Sequence, residues 1–115
     1  MFIEEKHLRI INAILAKYPY TFYVFGSRVK GTSKKFSDLD LCFIEKIPDS
    51  EQNRLEADFE ESDLPYKVDL LDWYQCDEAF QHLIYPDLYL LQLGKNGKEL
   101  NMVEIMKVLK EKIKS

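Results

Sequence analysis

Thr21-Phe22-Tyr23-Val24-Phe25-Gly26-Ser27, followed after a short basic loop by Ser37-Asp38-Leu39-Asp40-Leu41-Cys42-Phe43-Ile44-Glu45, decides the fold class of this 115-residue chain. The first run is aromatic and β-branched and stops abruptly at Gly26-Ser27, which reads as a strand ending in a turn. Residues 28–37 carry Lys30, Gly31, Lys34 and Lys35 and read as a loop with room for one helical turn. From Asp38 to Glu45 a second strand is expected, with Leu39, Leu41 and Phe43 alternating against Asp38, Asp40 and Cys42.

The pattern extends outward in both directions. Residues 4–17 place Leu8, Ile11, Ile14 and Leu15 at helical spacing, and Pro19 closes that helix. Pro48-Asp49-Ser50 reads as a turn and N-cap before a helix over about 50–61, which Leu64-Pro65 ends. A third strand is expected over Tyr66–Trp73 and a helix over Asp77–Ile84. Residues 88–93 suit a short strand or a helix extension, and periodicity does not choose between them. Gly94-Lys95-Asn96-Gly97 is a turn by composition. From Asn101 onward Val103, Met106, Leu109 and Ile113 form the stripe of a C-terminal helix that docks on the domain or serves a partner. The expectation is one α/β domain spanning residues 1–115, a small mixed sheet of three or four strands flanked by helices.

Composition narrows the function. Hydrophobic residues make up 46% and charged residues 31%, a globular balance. A net charge of -4 argues against general nucleic-acid binding, which needs broad basic surface. No apolar run is long enough for a membrane span, and Met1–Lys6 lacks the basic start and apolar stretch of a signal peptide, so the expected address is cytoplasmic. Cys42 and Cys76 are too few for a disulfide framework, and Cys42, inside an apolar run, reads as a core thiol. His7 and His82 have no partner at metal-ligand spacing and are assigned to helix surfaces.

The chemistry lies in the acids. On a strand, Asp38 and Asp40 leave the same face about 6.6 to 6.8 Å apart. Two carboxylates that close need a cation, or one must take up a proton. A hard divalent ion such as Mg²⁺ prefers oxygen ligands and is held by carboxylates together with substrate phosphates. Asp69, set between Val68 and Leu70-Leu71, is an acid in apolar company that a neighbouring strand could bring beside the first two. Three convergent carboxylates suit a two-metal phosphoryl-transfer site, and Gly26-Ser27 offers backbone N–H groups and a hydroxyl to phosphate oxygens. Taken singly, Asp-x-Asp is common in edge strands and Gly-Ser after a strand is usually only a turn; their conjunction carries the argument.

Phe25-Gly26-Ser27-Arg28-Val29-Lys30-Gly31, Ser37-Asp38-Leu39-Asp40-Leu41 and Val68-Asp69-Leu70-Leu71-Asp72-Trp73 together resemble the minimal nucleotidyltransferases of the DNA polymerase beta superfamily. The resemblance runs from about residue 22 to 73. It implies transfer of a nucleoside monophosphate, AMP foremost, from a triphosphate such as ATP to a hydroxyl. Carried over by position, Asp38 and Asp40 would be ligands to two Mg²⁺ ions, with Mn²⁺ as the alternative metal. Asp69 would bind the catalytic metal and help deprotonate the acceptor. Gly26 and Ser27 would hold the β- and γ-phosphates, and Arg28 would either add a charged contact to the nucleotide or be a surface arginine. Asp72 is expected to be structural or solvated.

About 40 residues follow the third strand, too few for the helical lobe of larger relatives. The resemblance therefore implies a protein acceptor, or a second subunit completing the cleft in a homo- or hetero-oligomer. Members of this branch pair with a helical HEPN or substrate-binding protein, and in some pairs the nucleotidyltransferase is an antitoxin that adds AMP to a tyrosine of its partner. Two other functions compete: a non-catalytic protein that neutralises its partner by binding, and a small-molecule nucleotidyltransferase of the aminoglycoside-modifying kind.

Overall fold

The computed structural model of the chain describes residues 3–100. In order these form α1 (Glu5–Leu15), β1 (Phe22–Phe25), α2 (Ser27–Lys30), β2 (Leu39–Phe43), α3 (Asp49–Glu60), β3 (Val68–Asp72), α4 (Glu78–Ile84) and β4 (Tyr89–Gln92). The strands make one mixed sheet in the order β3-β2-β1-β4. β1 runs antiparallel to β2 and β4, whereas β2 and β3 are parallel and joined through α3. The expected C-terminal helix from Asn101 lies outside the described residues.

Both faces of the sheet are covered, which is why every residue of β1 is buried. On one face Phe22, Val24, Leu39, Leu41 and Phe43 pack on Ile11, Ile14 and Leu15 of α1 and on Leu55 and Phe59 of α3. On the other, Tyr23, Phe25 and Cys42 pack with Ile44, Trp73 and Ile84. The alternation read from residues 38–45 therefore separates two cores rather than core from solvent. Burial pushes the Cys42 thiol up to about 12, as a core thiol requires.

The ends of the elements have local causes. Asp77 caps α4 through an acceptor oxygen 2.8 Å from the Phe80 N–H, and Asp72 caps the following turn by accepting from the Tyr74 N–H at 3.0 Å, the structural role expected of it. The N-cap of α3 is Pro48 and has no side-chain cap; Asp49 and Glu51 instead occupy the first turn, where carboxylates favour the helix dipole. The Tyr18 hydroxyl donates to Asp58 at 2.6 Å, tying the end of α1 to α3. Burial and that bond raise the phenol to about 12, and the same bond, with Lys17, lowers the Asp58 carboxyl.

Residues 88–93 resolve as a strand because β1 needs a second neighbour and Gln92 has work beside it. The Gln92 amide reaches the carbonyls of Leu15, Tyr18 and Tyr20 at 2.8–3.0 Å, satisfying the C-terminal end of α1. Next to it, buried Thr21 donates its N–H to both Glu45 carboxylate oxygens and accepts from the Gly94 N–H at 2.8 Å. A Cβ on Gly94 would stand 2.9 Å from backbone atoms of Tyr20 and Thr21, which cannot yield singly. Gly94→Ala is thus expected to cost roughly 1–3 kcal/mol in denaturant melts, without direct effect on the site described next.

Candidate active site

β2 begins at Leu39, whose N–H donates to the Lys67 carbonyl at 2.9 Å. Asp38 therefore sits one residue before the strand, not within it as expected, and is exposed, with its charge still acting on Asp40. The reason is pairing: the parallel register starts at Leu39 opposite Val68. Asp40 is within β2 and half-buried.

Asp69 is where the sequence reading needed it. In the parallel ladder Asp40 stands opposite Asp69, and in the antiparallel ladder it stands opposite Phe25. Residues opposite one another share a face, so the two carboxylates are neighbours at the end of β1 where Gly26 and α2 begin. Burial raises the Asp40 carboxyl above the usual carboxylate range, and the charges of Asp69 and then Asp38 push it the same way. Lys67 pairs with Asp69 at 3.5 Å, an exposed contact that gives Asp69 little relief.

Gly26 closes the site from the β1 side. Its backbone is at φ 83°, ψ -153°, a region essentially restricted to glycine. A Cβ there would stand 2.5 Å from Asp40 Oδ2, so this glycine lets the chain pass directly over the carboxylate. Its carbonyl accepts from the Val29 and Lys30 N–H groups at 3.0 and 3.1 Å, which starts α2 at Ser27. α2 ends at Gly31, φ 80°.

Arg28 is not a surface arginine: it is 5% exposed. Its Nη2 and Nε donate to the Ser37 carbonyl at 2.6 and 3.2 Å, and its guanidinium lies 3.8 Å from the centre of the Tyr66 ring. Nothing in the spacing announced this, because Tyr66 is 38 residues away in the chain. Lys30 pairs with Asp87 at 3.3 Å, and Lys34 and Lys35 are exposed.

The donor chemistry suits a divalent cation. The donors are hard carboxylate oxygens, and Asp40 carries an electrostatic penalty that a cation would relieve. Among the described residues no three His, Cys, Asp or Glu side chains are gathered as tightly as ligands around one ion. Among the same residues no helix is long and apolar enough to cross a membrane.

The chain matches known proteins over this same region. A family model described as Polymerase beta, Nucleotidyltransferase matches residues 9–92. The probable protein adenylyltransferase MntA of Haemophilus influenzae is 46% identical over 94 residues, covering 78% of this chain and 82% of that protein. Among solved structures, a toxin-antitoxin complex with AMP-PNP aligns at a TM-score of 0.69, with 20% identity, over 90% of this chain and 87% of that one. A MntA-HepT toxin-antitoxin structure aligns at 0.64, with 17% identity, over 94% and 88%. At those identities the structural likeness speaks for the fold: the mixed sheet and its flanking helices.

Proposed function

Because the chain belongs to the polymerase beta nucleotidyltransferase family, and so is a nucleotidyltransferase, we propose that it transfers AMP from ATP to a hydroxyl of a helical partner protein, as the antitoxin half of a toxin-antitoxin pair. The observation that carries the chemistry is the register: Asp40 faces Asp69 across β2 and β3, with Gly26 against Asp40. The choice of AMP and of a protein acceptor draws on the adenylyltransferase relative, and the partner on the toxin-antitoxin complexes of like fold. A tyrosine is the acceptor that the sequence resemblance favours.

Asp38, Asp40 and Asp69 would hold Mg²⁺ or Mn²⁺, which when bound supplies charge neutralisation at the triphosphate and a more acidic acceptor hydroxyl. The N–H groups of the first turn of α2 and the Ser27 hydroxyl are the donors for the β- and γ-phosphate oxygens. Gly26 leaves room there for the triphosphate to approach the carboxylates. The acceptor oxygen forms a bond to the α-phosphorus as the bond to the bridging oxygen breaks. Pyrophosphate leaves, and the acceptor proton passes to Asp69, whose carboxylate is half-exposed at the sheet edge.

The test is incubation of the protein with α-labelled ATP, Mg²⁺ or Mn²⁺ and a lysate of its native host, beside the Asp40→Asn variant. Label on one protein band, as AMP and with wild type only, is the expected result. Label that persists with Asp40→Asn, or no label from folded wild type with either metal, overturns the proposal.

A further inference from the structure

We infer that Arg28 is a positioning residue, a clamp that sets the spacing of the carboxylate strands rather than a ligand of the nucleotide; the inference rests on the metal-dependent transfer proposed above. Two segments must meet for Asp38, Asp40 and Asp69 to act together: the loop entering β2 and the stretch entering β3. Arg28 grips both. Its Nη2 and Nε converge on the carbonyl of Ser37, the residue whose next peptide carries Asp38. Nη2 also lies 3.5 Å from the Lys35 carbonyl. The other side of the guanidinium lies against Tyr66, three residues before Asp69.

The loop that Arg28 holds is closed on itself as well, through the Ser37 N–H to the Lys34 carbonyl at 3.1 Å and the Lys34 N–H to Ser37 Oγ at 2.7 Å. The Leu39 N–H to Lys67 carbonyl bond joins the same two segments just beyond the points the arginine holds. Asp40 and Asp69 stand opposite one another across β2 and β3, and repulsion between like charges so placed pushes these segments apart. A guanidinium shielded from water, donating to the Ser37 carbonyl and set against an aromatic face, opposes that push with contacts that keep their strength. The contact to Tyr66 is made by the ring: its hydroxyl is buried with no hydrogen-bond partner among the described residues. A lysine has neither the fork nor the planar face.

The experiment titrates Mn²⁺ alone against the free protein, following unbound ion by electron paramagnetic resonance, and pairs this with steady-state transfer and melting curves. Arg28→Ala and Tyr66→Leu should each weaken Mn²⁺ binding by about 10-fold or more and lower kcat similarly, with KM for ATP within about twofold. The double variant should be no worse than either single one. Arg28→Lys should not rescue, and Tyr66→Phe should bind as wild type. Ile14→Val, a core change on α1, lowers the melting temperature and should leave Mn²⁺ affinity unchanged. Unaltered Mn²⁺ affinity with a raised KM for ATP in Arg28→Ala, rescue by Arg28→Lys, or strict additivity would overturn the clamp alone. Wild type that neither binds Mn²⁺ nor transfers AMP would overturn the proposed function and the clamp with it.

Discussion

Asp40→Asn is expected to lower the transfer rate by about 10³-fold or more and, at neutral pH, to melt a few degrees higher than wild type. The loss follows from the position of Asp40, between Phe25 and Asp69 and beneath Gly26, where no other carboxylate can replace it. The gain in stability follows from its charge. Because burial and the facing acids raise its carboxyl in the folded state, ionisation of Asp40 opposes folding. That penalty is absent below the carboxylate value of the unfolded chain, grows as pH rises from there to the higher folded value, and is constant above it. The difference in melting temperature between Asp40→Asn and wild type should therefore be present at pH 7 and vanish toward pH 3. Melting curves across that range, with turnover of the same samples, read both effects. A variant that keeps turnover, or that melts lower at pH 7, would remove Asp40 from the site. Asp38→Asn makes the contrast: exposed Asp38 should cost transfer without the matching gain.

Gly26→Ala should separate the cost to the fold from the cost to the site. Its φ and ψ are costly for any residue with a Cβ, on the order of 1–3 kcal/mol. The collision is with the end of the Asp40 side chain, which can swing aside, so most of the damage from the added methyl falls on chemistry rather than on folding. Transfer at a temperature where the variant is folded should drop by roughly 100-fold, in keeping with small displacements of positioned groups. Gly97→Ala is the control: φ is 66°, and nothing lies within 4 Å of the added Cβ. It should show the backbone cost, roughly 1–2 kcal/mol, and full activity. Equal activity losses in the two variants would mean that Gly26 serves the backbone only.

Much of the architecture was legible because local signals agreed with the tertiary outcome. The helical stripe of Leu8, Ile11, Ile14 and Leu15, the aromatic run at 22–25 and the helix read over 77–84 each found the element expected of them. β4 was ambiguous because six residues of mixed apolar character satisfy either period, and only the open edge of β1 selects the strand. The Asp38 position was misread for the same kind of reason. A strand pattern in one chain segment cannot say where its neighbour begins to pair, and here Val68 sets the start of the ladder.

The candidate site divides along this line. Residue types and short spacings by themselves picked out Asp38, Asp40 and the Gly-Ser turn as candidates for one phosphoryl-transfer site, with Asp69 as an acid in apolar company, because charge, glycine freedom and strand period are properties of a few consecutive residues. Only the tertiary structure decided that Asp40 and Asp69 stand in register, that Gly26 lies against Asp40, and that Arg28 leaves solvent to join Ser37 to Tyr66. Those three facts depend on parallel pairing through α3 and on packing between distant segments, and such long-range contacts leave no period in the sequence to read.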